Sequence, residues 1–246
     1  MLRRSLQRLF NRFGISITRY KSEHEDPILS WLRLYQVDAI FDVGAHRGQS
    51  GRFFRRIGFD GQIVSFEPVG AFFRDLEERA GADPLWHVEN IALGDEDIEV
   101  DINVAGERGG ASSILEMRRD MCAPHPRVVR KERISVRTLG AMIDRYYPAG
   151  NRLFLKLDVQ GYEAKVLAGA GDALDRVVGM KIEMSLVENY YGEMLYADMI
   201  AYLAKLGYRP VSIRDGWRDH RTKELYQVDG VFFRTDRISL DENAKT

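Results

Sequence analysis

From Val37 onward the chain alternates short β-rich runs with stretches of helical period, and this pattern constrains its fold more than any other feature. Strands separated by helices assemble most simply into a mainly parallel sheet with helices on both faces. Ala39-Ile-Phe-Asp-Val43 is apolar at four of its positions without strict alternation, as a strand covered on both sides requires. Phe53, Phe54 and Ile57 then mark the inner face of a helix that Gly58 and Gly61 close. Ile63-Val-Ser-Phe66 is a second strand ending in Glu67-Pro68, and Phe72, Phe73, Leu76 and Ala80 mark the next helix. A third strand is expected from about Trp86 to Ala92, and the alternating Ile98, Val100, Ile102 and Val104 indicate a further strand or hairpin arm.

Regular order returns at Ile134-Ser-Val136, followed by a helix with Thr138 as N-cap and by the strand Leu153-Phe-Leu-Lys-Leu157, which ends at Asp158. Val166, Leu167, Ala170 and Leu174 give a helix, Val177 to Met184 a strand, and Met194, Leu195, Met199, Ile200, Leu203 and Leu206 a helical stripe closed by Gly207. Two β-like runs near Arg209–Ile213 and Gln227–Phe233 complete the pattern and could pair as a hairpin.

Two segments depart from this rhythm. Residues 105–131 contain Gly106, Gly109, Gly110, Ser112-Ser113 and Pro124-His125-Pro126 with no sustained core period, and they read as an inserted lid or substrate loop, the alternative being a mobile surface excursion. Residues 1–21 carry Arg3, Arg4, Arg8, Arg12, Arg19 and Lys21 with no acidic residue before Glu23. Leu2, Leu6, Leu9, Phe10 and Phe13 recur there at helical spacing, so a helix would either pack its apolar face on the domain or touch an anionic membrane surface. The division expected is a basic helical extension at 1–36, one α/β domain at 37–237 and a polar tail at 238–246.

Composition removes whole function classes. With 36 Lys plus Arg against 37 Asp plus Glu, the net charge of −1 provides no global field for nucleic acid. The single cysteine, Cys122, can form neither an intramolecular disulfide nor a thiolate metal cage, which fits a reducing, cytoplasmic setting, with the inner membrane surface as the place where residues 1–21 could dock. No apolar run approaches the roughly 20 residues of a membrane span.

In an open α/β sheet ligands bind beyond the carboxyl ends of the strands, where strand order reverses. After the first strand comes the turn Asp42-Val-Gly44-Ala-His46-Arg-Gly48. A dinucleotide fingerprint needs glycine where His46 stands, so a pyrophosphate fits poorly. Glu67, about 20 residues on at the end of the second strand, occupies the place from which a carboxylate accepts hydrogen bonds from ribose hydroxyls. Adenosine without a diphosphate satisfies both facts, and S-adenosylmethionine is such a ligand.

The ordered set Asp42-Val-Gly-Ala-His-Arg-Gly-Gln49, Ser65-Phe-Glu-Pro68, Ala92-Leu-Gly94, Ser112-Ser113, Val136-Arg-Thr-Leu139, Lys156-Leu-Asp-Val-Gln-Gly-Tyr-Glu163 and Glu183-Met-Ser-Leu186 resembles the motifs of FkbM-type methyltransferases, over about Ile40 to Phe233. The resemblance implies a class I, Rossmann-like methyltransferase fold with seven strands, mainly parallel, the last pair including an antiparallel one. It implies S-adenosylmethionine as cofactor and a hydroxyl acceptor, often on a sugar or polyketide product. On it, Asp42, Gly44 and Gly48 shape the methionine side of the cofactor site, Glu67 holds the ribose, and Asn90 to Ala92 lie near adenine. His46 stands in the same turn where many members carry Asn. The alternatives from other classes are an NAD-dependent oxidoreductase, and a cofactor-binding interaction module without catalysis.

A protonated sugar hydroxyl is a poor nucleophile, so a carboxylate acting as general base should assist. Asp158, at the end of the central strand, is the first candidate, with capping of the following helix as its plainer role; Glu183, at the end of the next strand, is the second. Glu163 more simply favours its helix N-terminus. The histidines at 24, 46, 87, 125 and 220 show no paired ligand spacing, and a divalent metal at Asp158 and Glu183 is not expected. Tyr190, Tyr191, Tyr196 and Trp217 could stack on a sugar or simply pack.

Overall fold

The computed structural model describes residues 27–106, 109–118, 127–219 and 221–237. In chain order the strands are β1 (Ala39–Val43), β2 (Gln62–Phe66), β3 (Trp86–Glu89), β4 (Ala92–Gly94), β5 (Ile98–Ala105), β6 (Val128–Thr138), β7 (Leu153–Leu157), β8 (Val177–Ser185), β9 (Tyr208–Asp215) and β10 (Gln227–Arg234). Seven form the main sheet in the order β3-β2-β1-β7-β8-β10-β9. β1 runs parallel to β2 and β7, β2 to β3, and β7 to β8, whereas β10 is antiparallel to both β8 and β9. This is the mainly parallel α/β sheet that the alternating pattern implies, with the seven strands and the antiparallel strand that the resemblance implies. The chain leaves β1 toward β2 on one side and later returns beside β1 as β7, so strand order reverses between them and a crevice opens at their carboxyl ends.

Every residue of β1 and β7 is buried, which is why their sequences do not alternate in polarity. Their side chains nevertheless divide by the strand period of two. Phe41, Val43, Leu155 and Leu157 join the core beneath the helices Leu139–Tyr146, Glu163–Ala168 and Tyr196–Lys205. Ile40 and Phe154 join the opposite core with Phe54, Ile57 and Leu76 from the helices Gln49–Ile57 and Gly70–Ala80. Burial of each such large apolar side chain contributes about 1.5–3 kcal/mol. Thr138 caps the helix Leu139–Tyr146 as its sequence position implies, its hydroxyl accepting the Ala141 N–H at 3.4 Å.

Several sequence boundaries move: the helix expected over Val166–Leu174 ends at Ala168 and a 3-10 turn follows at Gly171–Arg176, and two further boundaries shift. β3 ends at Glu89, and Ala92–Gly94 instead pairs in parallel with β6 in a separate three-stranded sheet, β4-β6-β5. The expected loop at 105–131 is also shorter at its far end, because β6 begins at Val128. Val128 to Lys131 are exposed, so no apolar alternation reveals that part of the strand in the sequence. The small sheet turns Ile102, Val104, Ile134 and Val136 onto Val69 and Phe72 beside the crevice.

The described part of the inserted loop, residues 109–118, is tied down as a strap. Asn103 and Ser113 exchange backbone hydrogen bonds of 2.9 and 3.1 Å, and Met117 bridges to Tyr190. The Arg118 N–H donates to the Asn189 carbonyl at 2.8 Å, and that of Tyr191 to the Glu116 carbonyl at 2.9 Å. The basic segment 1–21, the loop centre at 119–126, His24, His125, His220 and the tail 238–246 lie outside the described residues. Among the described residues no helix is long and apolar enough to cross a membrane.

Gly51, inside the helix Gln49–Ile57, faces the indole of Trp86, which a Cβ there would overlap. Gly→Ala within a helix ordinarily stabilises by about 0.8–1 kcal/mol. Here the sign reverses: Gly51→Ala is expected to destabilise by about 1–3 kcal/mol, as overpacked cores do, in urea unfolding. Trp86→Phe in the same chain should recover part of that loss.

Candidate active site

At the switch point the turn after β1 is built by three residues in left-handed backbone, Gly44 (φ 75°), His46 (φ 51°) and Gly48 (φ 81°). A Cβ on Gly44 would overlap the Asp158 carbonyl, so glycine is what lets the ends of β1 and β7 approach. Beyond them opens a cavity of about 300 Å³. Its polar wall includes Gly44, His46, Glu67, Lys156, Asp158 and Gln160; its apolar wall includes Val69, Phe72, Ala92, Leu93, Ile102 and Ile114.

Glu67 is buried, with its carboxyl seated between two backbone donors. Oε2 accepts the His46 N–H at 2.8 Å and Oε1 the Val69 N–H at 2.9 Å. Burial pushes the carboxyl up to about 7, against the pull of those two N–H groups and of Lys156. Asn90 supports this corner from behind, its amide donating to the carbonyls of Glu67 at 2.9 Å and Pro68 at 3.0 Å.

Below the turn lies one ammonium group. Lys156 of β7 is only 6% exposed; its Nζ is 3.1 Å from Asp42 Oδ1, donates to the Gly44 carbonyl at 2.9 Å and stands 3.6 Å from Asp158 Oδ2. Asp42 and Lys156 are register partners on adjacent strands, so the pleat directs them to the same face. Burial alone would depress the lysine, but the charges of Asp42 and Asp158 outweigh it and raise it above its ordinary value. Asp42 is completely buried, with the Ser65 hydroxyl at 3.5 Å, and that hydroxyl accepts the Trp86 indole N–H at 2.9 Å.

Asp158 reaches the cavity with its side chain 40% exposed. Gln160, held at φ 56°, donates from Nε2 to Asp158 Oδ1 at 2.8 Å and to Glu183 Oε2 at 2.7 Å. Gln227 adds a second amide to the same Glu183 oxygen at 2.9 Å. Burial, then the charges of Asp158, Glu163 and Asp229, push Glu183 well above the carboxylate range. Glu163 accepts the Val159 N–H at 2.9 Å and is pushed up to about 7, again chiefly by burial. It closes the turn before its helix in addition to sitting at the helix N-terminus.

Of the residues singled out in the sequence, Gly44, His46, Glu67, Ala92 and Asp158 line the cavity together. Asp42, Gly48, Asn90 and Glu183 lie outside the lining: Asp42 partners Lys156, Gly48 caps the helix Gln49–Ile57, Asn90 braces Glu67, and Glu183 stands behind Asp158. Tyr190 is buried with its hydroxyl on Gln160, Tyr191 is half-exposed under the Arg118 guanidinium, and Trp217 packs on Tyr226. Lys156, Gln160 and Phe72 acquire places at the cavity that sequence reasoning did not assign. A lysine within the otherwise apolar run Leu153-Phe-Leu-Lys-Leu157 was the available signal, because a buried charge demands a partner. Phe72 lies 4.3 Å, ring to ring, from His46, with the Arg47 guanidinium 5.0 Å from its centre on the other contact. Among the described residues no group of three or more His, Cys, Asp or Glu is arranged to hold a metal ion.

The profile described as methyltransferase FkbM domain matches residues 42–210. No curated protein matches the chain. Solved structures with a similar backbone include a putative O-methyltransferase from Klebsiella pneumoniae, with 10% identity, TM-score 0.49 and coverage of 94% of this chain and 88% of that one. An rRNA methylase from Streptococcus thermophilus shows 8% identity, TM-score 0.46 and coverage of 88% and 99%. A Burkholderia thailandensis 1,6-didemethyltoxoflavin-N1-methyltransferase, solved with bound 1,6-didemethyltoxoflavin and S-adenosylhomocysteine, shows 11% identity, TM-score 0.41 and coverage of 88% of this chain and 80% of that one.

Removing one member of a buried ion pair leaves the other uncompensated, at about 3–5 kcal/mol. Lys156→Met is therefore expected to lower unfolding free energy by about that amount, as measured by urea denaturation. Lys156→Met combined with Asp42→Asn should cost less than the sum of the two single changes; full additivity would show that the pair is not coupled.

Proposed function

From the premise that the chain belongs to the methyltransferase FkbM family and is an S-adenosylmethionine-dependent methyltransferase, we propose that it methylates a hydroxyl of a sugar in a glycan, glycolipid or glycosylated metabolite. The observation that carries this reading is the pairing of Glu67 and Asp158 on one cavity at the sheet's switch point. One carboxyl suits the donor's ribose, the other an acceptor's proton.

The residues present fit the donor. Each Glu67 oxygen already accepts one backbone N–H and, when ionised, retains acceptor capacity for a ribose hydroxyl. The apolar wall of Val69, Phe72, Ile102 and Ile114 suits a flat purine. The turn through Gly44 brings backbone close to whatever occupies the cavity, and Lys156 holds that turn through the Gly44 carbonyl. The bound donor supplies a methyl group already activated by a positively charged sulfur.

With the methyl activated, the protein's tasks are orientation, exclusion of water and removal of a proton. Asp158 is the group placed to accept the acceptor's hydroxyl proton, a contribution of roughly 10²–10⁴-fold. Lys156 Nζ stands 3.6 Å from its Oδ2 and Gln160 donates to its Oδ1 at 2.8 Å, which fixes where the carboxyl points. The strap at 109–118 roofs the cavity through Gly109, Gly110, Ser112 and Ile114 and so limits which acceptors reach Asp158.

Transfer of labelled methyl from S-adenosylmethionine to a panel of glycans and glycolipids tests the reading. Asp158→Ala is expected to lower kcat by about 10²–10⁴-fold with donor binding kept, and full turnover in that variant would remove Asp158 from the mechanism. Glu67→Ala should weaken donor binding by about 10-fold or more, on the scale of lost hydrogen bonds to a charged acceptor.

The titration of Glu67 adds a pH dependence with a defined sign. Its carboxyl sits near 7 and the cationic donor favours the ionised form, so S-adenosylmethionine affinity should rise with pH up to about 7 and then level. Calorimetric titration of the wild type against Glu67→Gln checks this; an unchanged pH slope in Glu67→Gln would place the titrating group elsewhere.

A further inference from the structure

We propose that the acceptor lies across the open upper half of one face of the main sheet, beside Asp158, and that Lys181 and Asp229 form a subsite there for an uncharged sugar unit next to the one that receives the methyl group. The proposal deepens the reading of the chain as a sugar O-methyltransferase and rests on it for the identity of the acceptor.

On β7, β8 and β10 this face changes character halfway along the strands. Phe154, Gly179 and Phe233 are neighbours on it by register, and both phenylalanines are fully buried in the core shared with the helices Pro27–Leu34 and Gln49–Ile57. Side chains return to the same face every second residue, so Lys156 and Asp158, Lys181 and Glu183, and Val231 and Asp229 continue it toward the cavity. Val231 is still buried, but Asp158, Lys181 and Asp229 leave 40%, 35% and 34% of their side chains exposed. Asp, Glu and Lys are depleted from strands, and here they stand side by side at the ends of three. Lys181 Nζ lies 3.1 Å from Asp229 Oδ2. A partly exposed pair of this kind adds little to stability, and the backbone ladder already joins β8 to β10.

Register fixes the spacing of the row. Glu183 is opposite Asp229, and Asp158 follows Leu157, the β7 partner of Ile182. From Asp158 to Asp229 is therefore two strand spacings, about 10 Å, more than a single sugar ring covers. An acceptor with its hydroxyl at Asp158 meets the Lys181–Asp229 pair through a second unit.

The groups in the row suit hydroxyls. Lys156 stands 3.6 Å from Asp158 at one end, Lys181 joins Asp229 at the other, and between them Glu183 takes the neutral amides of Gln160 and Gln227. An ammonium has three N–H donors and a carboxylate about four acceptor sites, more than one 3.1 Å contact consumes. A hydroxyl both donates and accepts, so neighbouring hydroxyls of a sugar meet both members without separating them. A carboxylate or phosphate on the acceptor would compete with Asp229 for the lysine and face the other carboxyls, and an amine cation would compete with Lys181 for Asp229. Beyond the pair, Arg214, the partner of Asp229 on the edge strand β9, is exposed, so a longer glycan can run off the sheet there.

A glycan array probed with the labelled full chain, saturated with S-adenosylhomocysteine, tests this. Neutral oligosaccharides should be retained in preference to uronic-acid, phosphorylated and amino-sugar glycans. Lys181→Met and Asp229→Asn should each weaken that retention by about 10-fold or more, the scale of a lost hydrogen bond to a charged group, with S-adenosylhomocysteine affinity unchanged by calorimetry. With labelled methyl donor and a retained oligosaccharide, both changes should raise KM and leave kcat nearly unchanged, whereas KM for the corresponding monosaccharide should not move. Retention of charged glycans alone, no retention of any neutral glycan, or variants that retain neutral glycans as the wild type does would overturn the proposal. Loss of folding in both variants would also overturn it, by making the pair structural; loss in one leaves the other to decide. The two readings fail separately. Methylation of a neutral glycan that both variants match would discard the subsite and keep the sugar methyltransferase, and pair-dependent glycan retention without methyl transfer would keep the subsite and discard the reaction.

Discussion

One buried ammonium group governs the geometry of this molecule's cavity. Lys156 meets Asp42 across adjacent strands, the Gly44 carbonyl in the turn above, and Asp158 at the cavity edge. Each of these groups would be costly alone. A buried carboxylate needs a counter-charge, a turn carbonyl a donor, and an ammonium removed from water a full set of acceptors. The cluster brings them together at the ends of two neighbouring parallel strands. The charge of the lysine is thus structural for β1 and β7 and electrostatic for Asp158.

Around that centre the chain distributes its labour by layer. The two apolar cores on either face of the sheet hold the strands in register, and their alternating side chains leave no freedom for a one-residue slip. The small sheet formed by β4, β5 and β6 contributes little to those cores and instead presents Ile102 to the cavity wall. The strap then bridges from this small sheet to the loop after β8, through Asn103 at one end and Tyr190 at the other. The polar wall of the cavity is therefore formed at the strand ends of the main sheet, and the roof by segments outside it.

Much of the architecture was legible in the sequence because burial of parallel strands leaves a clear mark: largely apolar runs without alternation, with Asp42, Glu67 and Asp158 in or directly after them. The glycine turn and the carboxylate after β2 could be read as a site because their chemistry depends on chain-local spacing. What escaped reading depends on neighbours distant in sequence. The outer part of β6 is a strand by pairing with β5 and is exposed, so its residues carry no periodic signature. The resemblance sets the Asn90 to Ala92 segment near adenine without giving the Asn90 amide a partner, and its partners are the Glu67 and Pro68 carbonyls. Gln160 stands within the Lys156–Glu163 motif with no role of its own assigned, and only the approach of β8, Tyr190 and the strap gives its amide three partners.

The Ser113 hydroxyl and the Gln160 carbonyl form a latch between roof and floor. Because the side chain of that same glutamine bonds Asp158 and Glu183, the backbone of the roof and the carboxyls of the floor are not separate modules: they share one left-handed residue just beyond the end of β7.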